Sequence, residues 1–135
     1  MPLNKPLAGS AEDWLLHARS DLSLAKIKRS NNEILAETLC YHAQQAVEKS
    51  LKAVLVFFGI EPPKTHNIGM LIEQMPNTVV RSAELSDAKA LTDYAVSTRY
   101  PGDFEAVTDK ELEQAIQTAE SVLAFAKRII ETRSE

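Results

Sequence analysis

Cysteine and long apolar runs are scarce in this chain, and each scarcity excludes a class of protein. The only cysteine, Cys40, cannot form an internal disulfide, which argues against a disulfide-stabilised secreted domain and fits a reducing compartment. No apolar run reaches the roughly 18 residues that a membrane-spanning helix needs. The first ten residues, MPLNKPLAGS, also lack the apolar centre of a signal sequence. We therefore expect a cytoplasmic protein without a membrane segment.

An excess of basic residues is also missing, as are the common catalytic and metal-binding motifs. The formal net charge of -4 argues against attraction of nucleic acid by the whole molecule, although it is compatible with a local basic pocket. The three histidines lie in separate segments without H-x-x-x-H spacing, and no CxxC occurs, so we expect no metal site. Glycine-rich phosphate loops and a G-x-S-x-G motif are absent as well. We predict no cofactor and assign no catalytic residue.

Helix-forming residues dominate what is present. With only four glycines and few aromatic residues, the composition favours helices over a β-sandwich. Residues 1–9 contain two prolines and are expected to form a flexible arm, followed by one helical domain over residues 10–132. Apolar periodicity and capping signals predict helices over residues 10–29, 33–58, 68–75 and 83–97, and a last helix that starts at a Thr108–Glu111 capping box. The predicted fold is all-α, an up-and-down bundle of four or five helices.

A row of polar residues follows one face of the second predicted helix. The row consists of His42, Gln45, Lys49 and Lys52. These residues fall within an arc of about 80° on a helical wheel, so their side chains leave the helix side by side. Such a donor-rich set suits an anionic ligand such as a phosphate or a nucleotide. The alternative is an ordinary solvent-exposed face on which Glu48 and Lys52 form an i,i+4 ion pair.

Two further segments carry candidate ligand-binding residues. In PPKTH, two prolines stiffen a loop that could bring His66 back towards the second helix, although a loop histidine is also a common surface residue or helix cap. In TRYPGDF, Arg99 can make bidentate contacts with phosphate and Tyr100 can stack on a base. The segment can equally be a helix terminator in which Tyr100 fills the core and Arg99 binds backbone carbonyls.

Three segments in their order along the chain resemble the HEPN domain family (higher eukaryotes and prokaryotes nucleotide-binding). They are YHAQQAVEKSLKAVLVFFG at residues 41–59, PPKTHNIGMLIEQ at 62–74 and TRYP at 98–101. The opening AEDWLLHARSDL also looks like that family, so the resemblance extends over about residues 11–130. It implies an all-helical bundle that is commonly homodimeric. In prokaryotes, such proteins are often encoded beside a minimal nucleotidyltransferase, as a toxin–antitoxin or nucleotide-modifying system.

One part of the family pattern is absent from this chain. Many HEPN proteins are metal-independent endoribonucleases that use an arginine followed, after four to six residues, by a histidine. After Arg99 those positions hold Phe104, Glu105 and Ala106, and no arginine in the chain has a histidine at that spacing. Because RNA cleavage needs an acid or base that titrates near neutral pH, this departure argues against ribonuclease activity of the usual kind.

The resemblance and the residue pattern together predict one polar cleft that binds a nucleotide or an RNA phosphate. Its predicted lining is His42, Gln45, Lys49, Lys52, His66, Arg99 and Tyr100. The lysines and Arg99 would neutralise charge, and Tyr100 would stack. One alternative is a non-catalytic, dimerising partner subunit of a minimal nucleotidyltransferase. Another is a ribonuclease in which His42 or His66 replaces the missing histidine.

Overall fold

The computed structural model describes residues 5–27, 33–95 and 106–133. In these ranges the chain forms helices and no strand, which confirms the predicted all-α bundle of four or five helices. The α-helices are α1 (Ala11–Ala25), α2 (Ala36–Phe57), α3 (Ile68–Gln74), α4 (Ala83–Ala88) and α5 (Asp109–Arg133). A 3₁₀ helix, Lys89–Ala95, directly follows α4.

Helix α2 is the centre of the bundle. It packs against α1, α3, α5 and the 3₁₀ helix, and 15 of its 22 residues are buried. Since neighbours surround it on several sides, α2 buries polar residues as well as its apolar stripe. The sequence-based alternative is confirmed in its Glu48–Lys52 ion pair, but its solvent-exposed face is wrong for three residues: Gln45 is only 9% exposed, Glu48 3% and Lys52 8%.

Helices α1 and α2 run antiparallel, and the polar row of α2 faces α1. Near the start of α1, the Trp14 ring lies 5.5 Å from Lys52 Nζ, late in α2. Asp21, later in α1, contacts His42, early in α2. This pairing places the carboxylate of Asp21 against the polar row.

Side-chain caps form at the starts of α5 and α1. Thr108 Oγ1 accepts a hydrogen bond from the Glu111 backbone N–H at 3.0 Å, and Glu111 Oε1 accepts one from the Thr108 N–H at 3.0 Å, which is the predicted capping box. At the start of α1, Ser10 Oγ accepts a bond from the Asp13 N–H at 3.1 Å. Helix α1 ends at Ala25, earlier than predicted, since the backbone of Lys26 leaves the helical region with ψ of 1°.

The helix predicted over residues 83–97 is an α-helix only as far as Ala88 and becomes a 3₁₀ helix at Lys89. Its buried residues Leu85, Ala88 and Leu91 are spaced three apart. Residues i and i+3 align in a 3₁₀ helix, so this spacing keeps one apolar face in the core after the helix type changes. The end of the predicted helix, residues 96–97, lies outside the described residues.

Candidate functional site

Glu48 lies at the centre of a buried network of hydrogen bonds. Lys52 Nζ donates to Glu48 Oε2 at 2.9 Å, and His66 Nδ1 lies 2.9 Å from Glu48 Oε1. Gln44 Nε2 donates to the same Oε1 at 3.1 Å. Gln45 Nε2 donates to Gln44 Oε1 at 2.7 Å and, more weakly, to Glu48 Oε1 at 3.4 Å. We call these five residues the Glu48 cluster.

Asp21 organises a second, smaller group on the same side of α2. His42 Nδ1 lies 3.0 Å from Asp21 Oδ1, and Lys49 Nζ donates to Asp21 Oδ2 at 2.5 Å. We call these three residues the Asp21 cluster. Both clusters have the same composition at their centre, because each carboxylate lies between a histidine Nδ1 and a lysine ammonium.

The loop between α2 and α3 brings His66 to Glu48. Just past the end of α2, Gly59 has a φ of +77°, a left-handed conformation that favours glycine. After the two prolines, Asn67 caps α3 through its Oδ1, which accepts a bond from the Met70 N–H at 3.1 Å. His66 therefore sits immediately before a fixed helix start, and its carbonyl accepts a bond from Gln44 Nε2 at 3.4 Å.

The Glu48 carboxyl group has a lowered pKa. Burial alone raises the pKa, but hydrogen bonds from His66, Lys52 and Gln44, together with the charge of Lys52, more than offset it. The pKa of Glu48 therefore lies below its usual value of 4.5, and the group is an ionised, buried acceptor at neutral pH.

The two clusters balance their charges when the histidines are neutral. Asp21 and Glu48 supply two negative charges, and Lys49 and Lys52 supply two positive charges. Lys52 also lies over the Trp14 ring, a cation–π contact that further satisfies its ammonium group. Attraction for an anion at these residues therefore requires added positive charge, or rearrangement of an ion pair.

Five of the seven predicted binding residues are described, and they lie in these two clusters. His42 and Lys49 belong to the Asp21 cluster, while Gln45, Lys52 and His66 belong to the Glu48 cluster. Arg99 and Tyr100 lie outside the described residues, so their place relative to the clusters stays a prediction.

Three residues of the clusters were not predicted to be part of the site: Asp21, Gln44 and Glu48. The i,i+4 spacing of Glu48 and Lys52 indicated an ion pair, but it could not indicate that the pair is buried. Asp21 belongs to another helix, so its contact with Lys49 depends on how α1 packs. Gln44, which is fully buried, lies between the polar and apolar faces of α2, so the sequence pattern did not indicate it as a binding residue.

A cleft of about 620 Å³ lies elsewhere in the described part of the chain, between the 3₁₀ helix with α4 and the first half of α5. Its lining includes Asp87, Tyr94 and Glu111 but none of the predicted binding residues. The predicted polar cleft around α2 therefore stays a prediction. No group of three or more histidine, cysteine or acidic residues suited to a metal ion occurs within residues 5–27, 33–95 and 106–133.

The fold and the polar centre of α2 define a small, all-helical bundle protein, and comparisons with known proteins identify its family. The HEPN domain model matches residues 11–129, so the chain belongs to the HEPN domain family. No curated protein matches the chain. None of the described helices is long and apolar enough to cross a membrane.

Two solved structures are similar to this chain over almost their whole length. One is the crystal structure of TT1696 from Thermus thermophilus, with a TM-score of 0.75 and 32% sequence identity, covering 89% of this chain and 98% of that one. The other is ST0689, an archaeal HEPN homologue, with a TM-score of 0.70 and 27% identity, covering 90% of this chain and 98% of that one.

Proposed function

We propose that this chain is a cytoplasmic HEPN protein that binds a nucleotide or an RNA phosphate beside α2, as part of a prokaryotic toxin–antitoxin or nucleotidyltransferase-associated system. The observation that carries the proposal is the pair of histidine–carboxylate–lysine clusters along one helix. Natural proteins rarely bury charged groups unless they are paired, and a polar helix face kept at the centre of a bundle costs stability. A ligand-binding role accounts for that cost.

The exposure of the clusters supports contact with a ligand from the histidine side. His66 keeps 65% of its side chain exposed although its Nδ1 is bound to buried Glu48. His42 and Lys49 each keep 25% of the side chain exposed. These three side chains can contact a ligand, whereas Lys52 and Gln45 are buried behind them.

The proposal is tested by titrating the purified protein with labelled ATP, GTP and a short RNA. We expect saturable binding to at least one of them, weakened at least tenfold in a Lys49→Ala, Arg99→Ala variant. The expected loss reflects charge-assisted bonds to phosphate, each worth about 1.5–3 kcal/mol. Absence of binding to all three ligands would contradict the proposal.

The matched control for this titration is Lys26→Ala. Lys26 is a half-exposed lysine that pairs with Glu120 of α5 at 2.7 Å, so its removal breaks an ion pair of the same kind outside both clusters. We expect the Lys26 variant to bind as the unchanged protein does. An equal loss in both variants would indicate nonspecific attraction by surface charge.

A second candidate function is a non-catalytic, dimerising partner subunit of a minimal nucleotidyltransferase. The observation in its favour is the charge balance of the two clusters, because each lysine already has a carboxylate partner without any ligand. In this role the polar centre of α2 would stabilise the bundle, and the surface around Lys49 would contact the partner chain. Co-purification with a nucleotidyltransferase that is lost in Lys49→Glu but unaffected by nucleotides would favour it.

The third candidate, a metal-independent ribonuclease, draws support from the histidine–carboxylate pairs alone. A carboxylate that holds a histidine Nδ1 orients the ring and leaves the other nitrogen for proton transfer. This candidate requires RNA cleavage in the presence of a chelator, abolished by His42→Ala or His66→Ala.

A further inference from the structure

Both histidines of the clusters turn the same ring nitrogen towards a carboxylate. Nδ1 of His66 lies 2.9 Å from Glu48 Oε1, and Nδ1 of His42 lies 3.0 Å from Asp21 Oδ1. The third histidine, His17, is different, because its Nε2 lies 3.4 Å from Asp13 Oδ1 on the exposed face of α1. The shared orientation is thus a property of the two clusters and not of every histidine in the chain.

An ionised carboxylate can only accept a hydrogen bond. The oxygen atoms of Glu48 receive bonds from Lys52 and Gln44 as well, so this carboxylate is held in its ionised form. The proton in the His66–Glu48 bond must therefore be on Nδ1 of the ring. When the ring is neutral, its other nitrogen, Nε2, carries a lone pair and can only accept.

We propose that Glu48 is a positioning residue, which fixes His66 with its proton on Nδ1 and so makes the exposed Nε2 a hydrogen-bond acceptor whenever the ring is neutral. Gln44 and Gln45 support this role because they hold Glu48 and its neighbours in place from the buried side. Asp21 fixes His42 in the same way.

An acceptor at Nε2 of His66 restricts the ligand group that can bind there, an inference that rests on the proposed function. Phosphate oxygens are acceptors, so a neutral His66 cannot bond to them through Nε2. The ligand group at His66 must be a donor, and the hydroxyl groups of a ribose are the donors that lie nearest the phosphates of a nucleotide. The phosphate would bind to the ammonium of Lys49. The Glu48 cluster would therefore contact the hydroxyl-bearing sugar, and the Asp21 cluster would contact the phosphate.

The positioning role is tested without any ligand, by ¹⁵N NMR of the histidine rings at pH 8. The ¹⁵N chemical shift distinguishes a protonated ring nitrogen from an unprotonated one, and single histidine substitutions assign the three rings. We expect His66 and His42 to carry the proton on Nδ1. A proton on Nε2 of His66 would overturn the proposal.

Substitutions at Glu48 and Asp21 test the role of each carboxylate separately. Glu48→Leu combined with Lys52→Met removes both buried charges together, which protects the fold from an unpaired ammonium, and leaves no acceptor for His66 Nδ1. We expect this double variant to abolish the Nδ1 preference at His66 and to leave that of His42, while Asp21→Leu does the reverse. Glu120→Leu, the same change at an exposed ion pair, is the control and should alter neither ring. An unchanged His66 in the double variant would overturn the role of Glu48.

The ligand part is tested by comparing ATP with 2′,3′-dideoxy-ATP at pH 8. Because a hydrogen bond contributes about 1 kcal/mol, we expect the dideoxy compound to bind about fivefold more weakly, and His66→Phe to remove the difference. Equal binding of the two compounds would overturn the hydroxyl assignment and leave the proposed function intact. No binding of either would contradict the proposed function, while the NMR result would still decide the role of Glu48.

Discussion

Glu48 and Lys52 place a negative and a positive charge inside the protein, one helical turn apart on α2. Removing two charges from water is costly, and their attraction compensates only when further hydrogen bonds satisfy the remaining atoms. His66 and Gln44 supply those bonds to Glu48, and the Trp14 ring covers Lys52. The pair is stable because these neighbours satisfy its remaining polar atoms. A substitution of either partner alone should therefore strongly destabilise the folded protein.

We predict that Glu48→Gln lowers the free energy of unfolding by about 3–5 kcal/mol at pH 7, because it leaves the Lys52 ammonium buried without its carboxylate. The loss should depend on pH in a defined direction. In the folded protein the pKa of Glu48 lies below 4.5, so its ionised form stabilises the fold above about pH 4.5. This stabilisation is lost as the pH falls through the lowered pKa.

Urea denaturation of both proteins between pH 3 and pH 7 measures this effect. The difference in unfolding free energy should be complete at pH 6–7 and shrink below about pH 4.5. Restoring most of the stability with Lys52→Met in the same chain would identify the buried ammonium as the cause. A difference that stays constant over the whole pH range would contradict the assignment of the effect to Glu48 ionisation.

At the scale of single elements, short side-chain motifs cap the starts of α1, α3 and α5. The Thr108–Glu111 box at the start of α5 satisfies backbone N–H groups that have no partner within the helix. At the end of α3, the guanidinium of Arg81 does the converse and donates to the backbone carbonyls of Ile72 and Met75. Both the Thr108–Glu111 box and the Arg81 hydrogen bonds satisfy backbone groups at one helix end, and neither involves the apolar core.

We predict that Thr108→Ala lowers the free energy of unfolding by about 0.5–2 kcal/mol, since it removes the side-chain acceptor of the cap. Glu111→Gln should cost less, because glutamine can occupy the same position in a capping box. Urea denaturation measures both, with exposed Glu113→Gln as the control on the same turn. A Thr108→Ala variant as stable as the unchanged protein would contradict the capping role.

Periodicity predicts these elements well because each helix start and each apolar stripe depends on residues close in sequence. Whether the polar face of a helix is buried or exposed does not depend on residues close in sequence. Gln45 and Lys52 have a position on α2 that a helical wheel assigns to solvent, yet both are buried because α1 packs over them. The number of neighbours around one helix is a property of the whole bundle, which is also why the contact of Asp21 with Lys49 could not be predicted. The change from α4 to a 3₁₀ helix was missed because a spacing of three also fits an α-helical stripe.

At the scale of the whole molecule, three exposed apolar side chains lie on the outer side of α1, with the exposed Ser20 and Ser23 between them, and we call this surface the α1 strip. Leu16 and Leu24 are each 39% exposed, and Ile27, just past the helix end, is 47% exposed. Their spacing of eight and three residues places them on one side of the helix. A strip of this kind suits association with a second protein surface.

We predict that the protein is a homodimer through this strip, with a mass in sedimentation equilibrium of about twice the 15.0 kDa of the chain. Leu16→Glu with Leu24→Glu should give the monomer mass, because charged residues oppose burial of the strip. Val80→Glu, a change at an exposed valine outside α1, should leave the mass unchanged. A monomeric unchanged protein would contradict the predicted dimer.

The most direct measurement for the central claim, that the clusters beside α2 bind a nucleotide or an RNA phosphate, is an NMR titration of the three histidine rings with ATP and a short RNA. His42 and His66 belong to the clusters, and His17 on α1 serves as a reference within the same molecule. We predict saturable shifts at His42 and His66 with no comparable shift at His17. Rings that do not shift, or shifts of equal size at all three histidines, would contradict it.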